Sequence, residues 1–433
     1  MSEPVPTPQL VRGITRPHLA ALAVNCVVGA GILGLPSKVY ALLGGWSLPG
    51  WLIAAAVAGA IAACLAEVGS RFAETGGAYL YARHAFGPGV GFLTGWLSVV
   101  SRILGFASVC NLFVSYAGAV APGLAGGAGR AGLVAGVVGG LCALLGFGIR
   151  HTAWAGSVAT ALKIGLLGTV VGCGLAFAPA VPPILQAPAP DLSAFGEAAL
   201  LMLFAFAGFE AAAIPGGEVR DPKRDLPVAL GIALAAITAI YVAVQYACIA
   251  LVPDLATSER PLADLAMAAL GPPAGTALAV GAMAMLTGTM LTQLLGTSRL
   301  LYAMSANGEL PGVLAAIHPT RGTPLAAIAA VGAAGGLATL ASTFVGAVAV
   351  TVSTRVLTYA VICLAVPVLR RRDSAQPASI RLPFGDAIAG FGFLASAGLL
   401  FAASRAELGM TAALGGAGLV IRQLRSRPLS QRG

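Results

Sequence analysis

The feature that most constrains this chain is a succession of long apolar runs that contain almost no charge. Charged residues make up 9% of the 433 positions and hydrophobic residues 58%, with a mean hydropathy of +0.89. A soluble domain carries about 25% charged residues, so no fold of this chain could cover its apolar side chains with a polar shell. Runs of about 20 apolar residues cross the hydrocarbon core of a bilayer as helices. The sequence therefore predicts an all-α polytopic membrane protein surrounded by lipid.

Twelve apolar runs are long enough to be counted as spans. The last two are short, and the loops between the runs are brief, which leaves no room for a soluble catalytic domain. The predicted spans are residues 17–42, 48–70, 90–118, 128–149, 154–177, 195–216, 228–252, 274–303, 325–345, 348–369, 386–403 and 408–422.

The basic residues alternate between the two sides of the predicted spans. With the N-terminus in the cytoplasm, 18 of the 25 Lys and Arg residues fall in cytoplasmic segments, 4 fall outside and 3 fall within spans. Because cytoplasmic loops carry the excess of Lys and Arg, this asymmetry predicts an even number of spans in the cytoplasmic membrane, with both termini in the cytoplasm. The bases form short clusters and not one stripe, which argues against a nucleic-acid partner.

Cysteine and histidine give no sign of a metal site. All seven cysteines lie within apolar runs, and none of the four histidines has a second ligand three or four residues away. No set of nucleophile, base and orienting residue can be assembled either. We therefore expect no metal, no cofactor and no enzymatic activity.

Two of the spans contain residues that disfavour a continuous helix. The first has Gly29, Gly31, Gly34 and Pro36 at its apolar centre, and the sixth has Gly208. Interrupted spans at corresponding positions of two halves are typical of transporters built from inverted repeats. The start of one half-helix offers free N–H groups to an anion, and the end of the other offers C=O groups to a cation. A zwitterion suits this pair of ends; the alternative is that the glycines only permit close helix packing.

Four stretches are similar to segments of a known transporter family. They resemble, in the same order, conserved motifs of the amino acid-polyamine-organocation (APC) superfamily, and they extend over most of the chain. The resemblance implies a LeuT-type 5+5 inverted repeat with discontinuous helices 1 and 6 and two peripheral C-terminal helices. The stretches are residues 29–36 (GAGILGLP), 74–81 (ETGGAYLY), 208–210 with 217–227 (GFE and GEVRDPKRDLP) and 299–311 (RLLYAMSANGELP).

The resemblance also implies a division of the chain. We expect a cytoplasmic lead, a transporter core of ten helices, two further helices and a basic cytoplasmic tail. These parts are residues 1–16, 17–372, 373–424 and 425–433.

An amino-acid site at the two helix breaks follows from the same resemblance. The family's motif implies that N–H groups of residues 30–32 hold the substrate carboxylate, and that carbonyl groups near residues 27 and 206–207 hold its ammonium group. Many relatives have a hydroxyl residue where this chain has Ala30, so one hydrogen bond to the carboxylate is missing here. The two phenylalanines either gate the pocket or pack in the core. The implied substrate-binding residues are Val27, Gly29, Ala30, Gly31, Ile32, Phe204, Phe206, Ala207, Gly208 and Gln293.

Three charged residues within or beside the spans are candidates for coupling or specificity. A lysine inside a membrane is costly unless it has a role, and Lys163 matches a lysine that stands in for sodium in several relatives. Lys163 either cycles a proton or is a permanently charged structural residue. Glu210 either relays protons or braces the unwound backbone. Arg102 either pairs with an acidic substrate side chain, forms an internal ion pair, or extends its charged end to the membrane surface (snorkelling).

The sequence predicts a secondary active transporter of amino acids that works by alternating access, as a proton-coupled symporter or an exchanger. Neutral amino acids are favoured because Ala207, Gln293 and Cys110 indicate a small, weakly polar pocket. The alternatives are an antiporter of polyamines or of cationic or acidic amino acids, and a non-transporting amino acid sensor on the same fold. Broken helices around a midplane site favour occlusion over a channel. The oligomeric state is not predicted.

Overall fold

The computed structural model describes residues 20, 24, 27–72, 77–146, 149–177, 188–208, 222–319, 321–372 and 377–426, with the backbone alone at 149–162, 222–227 and 425–426. In these ranges the chain consists of α-helices and short 3-10 turns, without a β-strand. The helices are α1 Ala30–Leu43, α2 Ser47–Gly69, α3 Gly77–Phe86, α4 Pro88–Val120, α5 Gly127–Gly146, α6 Ile149–Phe177, α7 Leu192–Phe206, α8 Pro222–Leu251, α9 Pro261–Leu270, α10 Pro272–Ala306, α11 Leu325–Ala341, α12 Phe344–Arg370, α13 Gly385–Ala402 and α14 Arg405–Ser426.

Every predicted span overlaps an observed helix. Helices α3 and α9 were not predicted, because each has ten residues and is too short to cross a membrane. Seven stretches of the described residues are long and apolar enough to span a bilayer, which confirms an all-α polytopic membrane protein. They are Ala30–Gly69, Pro88–Val120, Gly127–Gly146, Val228–Leu251, Pro272–Ala306, Phe344–Arg370 and Gly385–Ala402.

The centre of the molecule is built around α1 and α4. Helix α4 packs against α10, α11 and α12, and α1 packs against α7. The side chains of Ile32, Leu33 and Leu35 in α1 are all 0% exposed. A transmembrane helix that meets lipid would expose one side, so the first part of α1, residues 30–37, is enclosed by protein on every side.

The first predicted span is interrupted near its middle. Val27 is helical, Val28 and Gly29 are not, and α1 begins at Ala30. Pro36 lies inside α1 and does not end it. In front of Val28, the structure describes the first span only at residues 20, 24 and 27, which are helical.

The helix of the sixth predicted span ends beside Gly208, the glycine that indicated a break in the sequence. Helix α7 stops at Phe206, and Ala207 is extended, with φ −65° and ψ 145°. Gly208 has φ 120°, a conformation that L side chains rarely adopt, which explains a glycine at this position. The predicted continuation to residue 216 falls outside the described residues.

Candidate functional site

The start of α1 lies directly beside the end of α7. A Cβ atom on Gly31 would be 2.5 Å from Cα and 2.6 Å from Cβ of Ala205. Only glycine permits this approach, so Gly31 serves close packing as well as the break. The contact brings the N-terminal turn of one helix, which carries positive partial charge, next to the C-terminal turn of the other, which carries negative partial charge.

Gly29, in contrast, has free space around it. A Cβ atom there would be 3.7 Å from the Val27 carbonyl oxygen and 3.8 Å from Cγ2 of Thr289, which are ordinary contacts. Its φ of −145° is outside the left-handed region that favours glycine. Gly29 at the N-cap provides no side-chain cap for α1, and an α-helix leaves its first four N–H groups without acceptors inside the helix. The space beside Gly29 therefore has backbone donors along one wall.

Tyr241 of α8 connects the carbonyl ends on both sides of this space. Its hydroxyl group lies 2.7 Å from the carbonyl oxygen of Ala205 and 3.4 Å from that of Val27. The ring packs against Phe206 and Trp51, with centroid distances of 5.2 and 5.1 Å. Phe206 is thus a member of a buried aromatic cluster, while Phe204, 9% exposed, is also buried.

A second set of hydrogen bonds, one turn further along α8, joins this helix to α2 and α1. Trp51 Nε1 donates to Gln245 Oε1 at 3.1 Å, and Gln245 Nε2 donates to the carbonyl oxygen of Pro36 at 3.1 Å. Sequence reasoning missed Trp51, Tyr241 and Gln245. Tyr241 and Gln245 are four residues apart, which places both polar groups on one face of a largely apolar span. This spacing was the sequence signal that could have identified them.

One turn of α10 beyond Thr289, a polar wall lies where α4 packs against α10 and α12. A Cβ atom on Gly105 would lie 3.4 Å from Gln293 Oε1 and 3.7 Å from Cγ2 of Thr351. The hydroxyl groups of Thr289 and Thr351 donate to carbonyl oxygens of their own helices, at 3.1 and 2.6 Å. The Gln293 Oε1 atom is buried and has no hydrogen-bond partner within the described residues. It is the unsatisfied polar atom of this wall.

A small apolar cavity lies behind the aromatic cluster, between α2 and α8. Its volume is about 190 Å³, and its lining includes Val27, Phe206, Ala66 and Ile237. Because these side chains are apolar, this cavity does not have the polar groups that a zwitterion needs. The polar wall around Gln293 and the start of α1 is the better candidate.

The charged candidates lie on different helices. Lys163 is 9% exposed in α6, which packs against α8 and α10. Arg102 is half-buried in α4, and its Nη1 atom would be 3.6 Å from a Cβ atom on Gly296 of α10. Glu210 lies outside the described residues. Among those that are described, no three His, Cys, Asp or Glu side chains are grouped as a metal site would require.

Comparison with known proteins gives a consistent assignment. Residues 14–409 match a family model described as amino acid permease. A methylthioribose transporter of Bacillus subtilis (strain 168) is 30% identical over 401 residues, which cover 87% of this chain and 85% of that protein. The vacuolar cationic amino acid transporter 2 of Arabidopsis thaliana is 30% identical over 350 residues, 75% of this chain and 54% of that longer protein.

A serine/threonine exchanger of Bacillus subtilis (strain 168) is 28% identical over 319 residues, which cover 71% of this chain and 72% of the exchanger. The similar proteins are transporters and not enzymes, and the family match extends over most of the chain. The predicted resemblance is therefore confirmed: the chain belongs to the amino acid permease family of APC-type transporters, as a multi-pass membrane protein.

Proposed function

We propose that this permease is a secondary transporter that moves a small neutral amino acid across the cytoplasmic membrane by alternating access. The observation that carries the proposal is the pairing of the uncapped start of α1 with the end of α7. The N–H groups of Ala30, Gly31 and Ile32 bind the substrate carboxylate. The carbonyl groups of Phe206 and Ala207 bind its ammonium group, because the end of a helix favours a cation.

Tyr241 has a defined place in this proposal. Its hydroxyl group donates to the carbonyl oxygen of Ala205 at 2.7 Å and approaches that of Val27 at 3.4 Å. The tyrosine therefore donates to the carbonyl group one residue before Phe206 and lies next to that of Val27, which the family's motif also offers to the ammonium group. It positions both broken ends without competing for Phe206 and Ala207.

The side-chain pocket of the proposed site is small and weakly polar. Thr289 and Thr351 tie their hydroxyl groups to their own helices and leave methyl groups near Gly29 and Gly105. Gln293 Oε1 is the unpaired acceptor between them. This composition favours a neutral substrate, and it suits a small side chain that hydrogen-bonds to the Gln293 amide. The serine/threonine exchanger among the relatives is consistent with such a substrate.

For coupling, we propose that Lys163 supplies the fixed or exchangeable charge beside the site, with Glu210 as a relay or as a brace for the backbone after α7. Lys163 is buried, and a lysine charge inside a membrane is costly unless it has a role. In a proton symporter the charge on Lys163 would be gained and lost in each cycle, whereas in an exchanger it would stay fixed. Arg102 is the residue that would accept an acidic side chain, if the permease takes one. Both termini lie in the cytoplasm in this proposal.

The test is uptake of one radiolabelled neutral amino acid into proteoliposomes, in competition with a panel of amino acids, polyamines and methylthioribose. We expect small neutral amino acids to compete best. Gln293→Leu should weaken their competition by about 2- to 12-fold, the value of one net hydrogen bond, and Gln423→Leu on the exposed side of α14 is the matched control. Competition by methylthioribose or polyamines alone would overturn the proposed substrate class.

A further inference from the structure

A buried carboxylate joins three helices at the end of the molecule that carries Arg370. Glu67, in the last turn of α2, is 0% exposed. Arg370 of α12 binds it through two N–H groups, Nε to Oε1 at 2.6 Å and Nη2 to Oε2 at 2.7 Å. The backbone N–H of Leu382, just before α13, donates to Oε2 at 2.9 Å, and Arg71 Nη2 lies 3.5 Å from Oε1.

Further hydrogen bonds reinforce the same junction. Ser70 Oγ accepts from the N–H of Ile380 at 3.0 Å, and Arg71 Nη1 donates to the carbonyl oxygen of Leu369 at 3.3 Å. Arg370 Nη2 also donates to the carbonyl oxygen of Leu382 at 2.9 Å. The first two bonds connect the end of α2 to the segment that leads into α13 and to α12, and the third connects α12 to that segment.

The contact between α2 and α12 continues along both helices, away from the end that carries Glu67 and Arg370. Cys64 of α2 and Cys363 of α12 are both 0% exposed, and their thiol groups are close neighbours. A Cβ atom on Gly392 of α13 would lie 2.8 Å from Sγ of Cys363, so α13 packs tightly on the same point. The interface of α2, α12 and α13 therefore has an ion-pair junction at one end and close thiol packing further along.

We propose that α2, α12 and α13 move as one unit throughout the transport cycle. Separating α2 from α12 would leave the Glu67 carboxylate and the Arg370 guanidinium buried without each other, which is among the costliest changes a protein interior can undergo. A cycle that broke this pair in every turnover would be slow. The inference rests on the proposed transport function. Beyond that function, the inference states that α2, in the first predicted repeat, stays attached to α12, in the second repeat, and to the peripheral helix α13.

The test uses the two native thiols as a cross-link. In a chain with the other five cysteines replaced by alanine, one Hg²⁺ ion bridges Cys64 and Cys363 as both thiols release their protons, and intact mass verifies the bridge. We expect bridged protein in proteoliposomes to keep at least half of the amino acid exchange of the same protein before Hg²⁺ is added. Loss of exchange to background, restored by dithiothreitol, would overturn the inference. The single-thiol variant Cys64→Ala controls for inhibition by mercury without a bridge.

A second measurement keeps the inference testable if the untreated protein does not exchange amino acids, which would refute the proposed function instead. Spin labels on Leu52→Cys in α2 and Leu364→Cys in α12, both exposed positions, report the distance between these helices in a chain without other cysteines. We expect one narrow distance across pH values and with each substrate of the competition panel. Two resolved distances would show that α2 and α12 separate, and would overturn the inference.

Discussion

The contact between Gly31 and Ala205 gives the sharpest mutational prediction. An alanine Cβ at position 31 would lie 2.5 and 2.6 Å from two carbon atoms of Ala205. Carbon atoms pack at about 3.5–4.0 Å, so Gly31→Ala must push α1 and α7 apart by about 1 Å. Overpacking of this kind typically costs about 1–3 kcal/mol. If the strain acts on the substrate site, affinity falls by about 5- to 150-fold, since each 1.4 kcal/mol is a factor of ten.

Two matched substitutions separate this effect from a general effect of adding a methyl group. Gly136→Ala on α5 adds a Cβ atom where nothing lies within 4 Å, and Gly29→Ala adds one at ordinary contact distances. Exchange in proteoliposomes gives substrate affinity, and thermal unfolding in detergent gives stability. We expect Gly136→Ala to match the parent in both assays, Gly29→Ala to match it in stability, and Gly31→Ala to lose affinity. Parental affinity and stability in Gly31→Ala would refute the reasoning.

Three other substitutions test separate parts of the account. Tyr241→Phe leaves a helix-end carbonyl without its donor, so thermal stability should fall by about 1–3 kcal/mol; an unchanged unfolding temperature would contradict the bridging role. Glu67→Gln leaves two arginines without their buried carboxylate and should cost about 3–5 kcal/mol in thermal unfolding, whereas Asp386→Asn, at a position 68% exposed, should change little. Lys163→Ala should abolish pH-driven uptake while exchange partly survives, with Lys38→Ala as control; a pH dependence like the parent's would remove Lys163 from the coupling site.

Much of the fold could be predicted because lipid imposes a simple rule on sequence. A helix that crosses the hydrocarbon core needs about 20 apolar residues, and each such run has a helix in the structure. Helices α3 and α9 escaped prediction because they are too short to be spans and have no other strong signal. The end of α7 at Phe206 lies two residues before Gly208, the glycine that indicated a break in the sixth span.

The site was less predictable because one residue type serves several purposes. A glycine that permits close packing and a glycine that permits unwinding look alike in sequence, and only the structure separates Gly31, which contacts Ala205, from Gly29, which faces open space. Tyr241 was missed for a similar reason. A tyrosine in an apolar span is compatible with a lipid-facing, core or site position, and its two carbonyl partners come from segments 36 and 214 residues away.

The polar contacts at Glu67 show what sequence reasoning cannot assign. Their partners come from positions 303 and 315 residues further along the chain, a distance over which sequence alone offers no pairing rule. Glu67 itself could be recognised as a charge near the end of a span, but whether it was solvated or buried depended on Arg370 and Leu382.

The most direct test of the account is counterflow in proteoliposomes. Vesicles containing the purified permease are loaded with an unlabelled neutral amino acid, diluted, and given a trace of the labelled compound outside. An alternating-access transporter must show transient accumulation of label above the outside concentration, because the internal pool drives exchange. The account predicts this overshoot for small neutral amino acids. Label that only equilibrates, or does not enter for any amino acid of the panel, would contradict it.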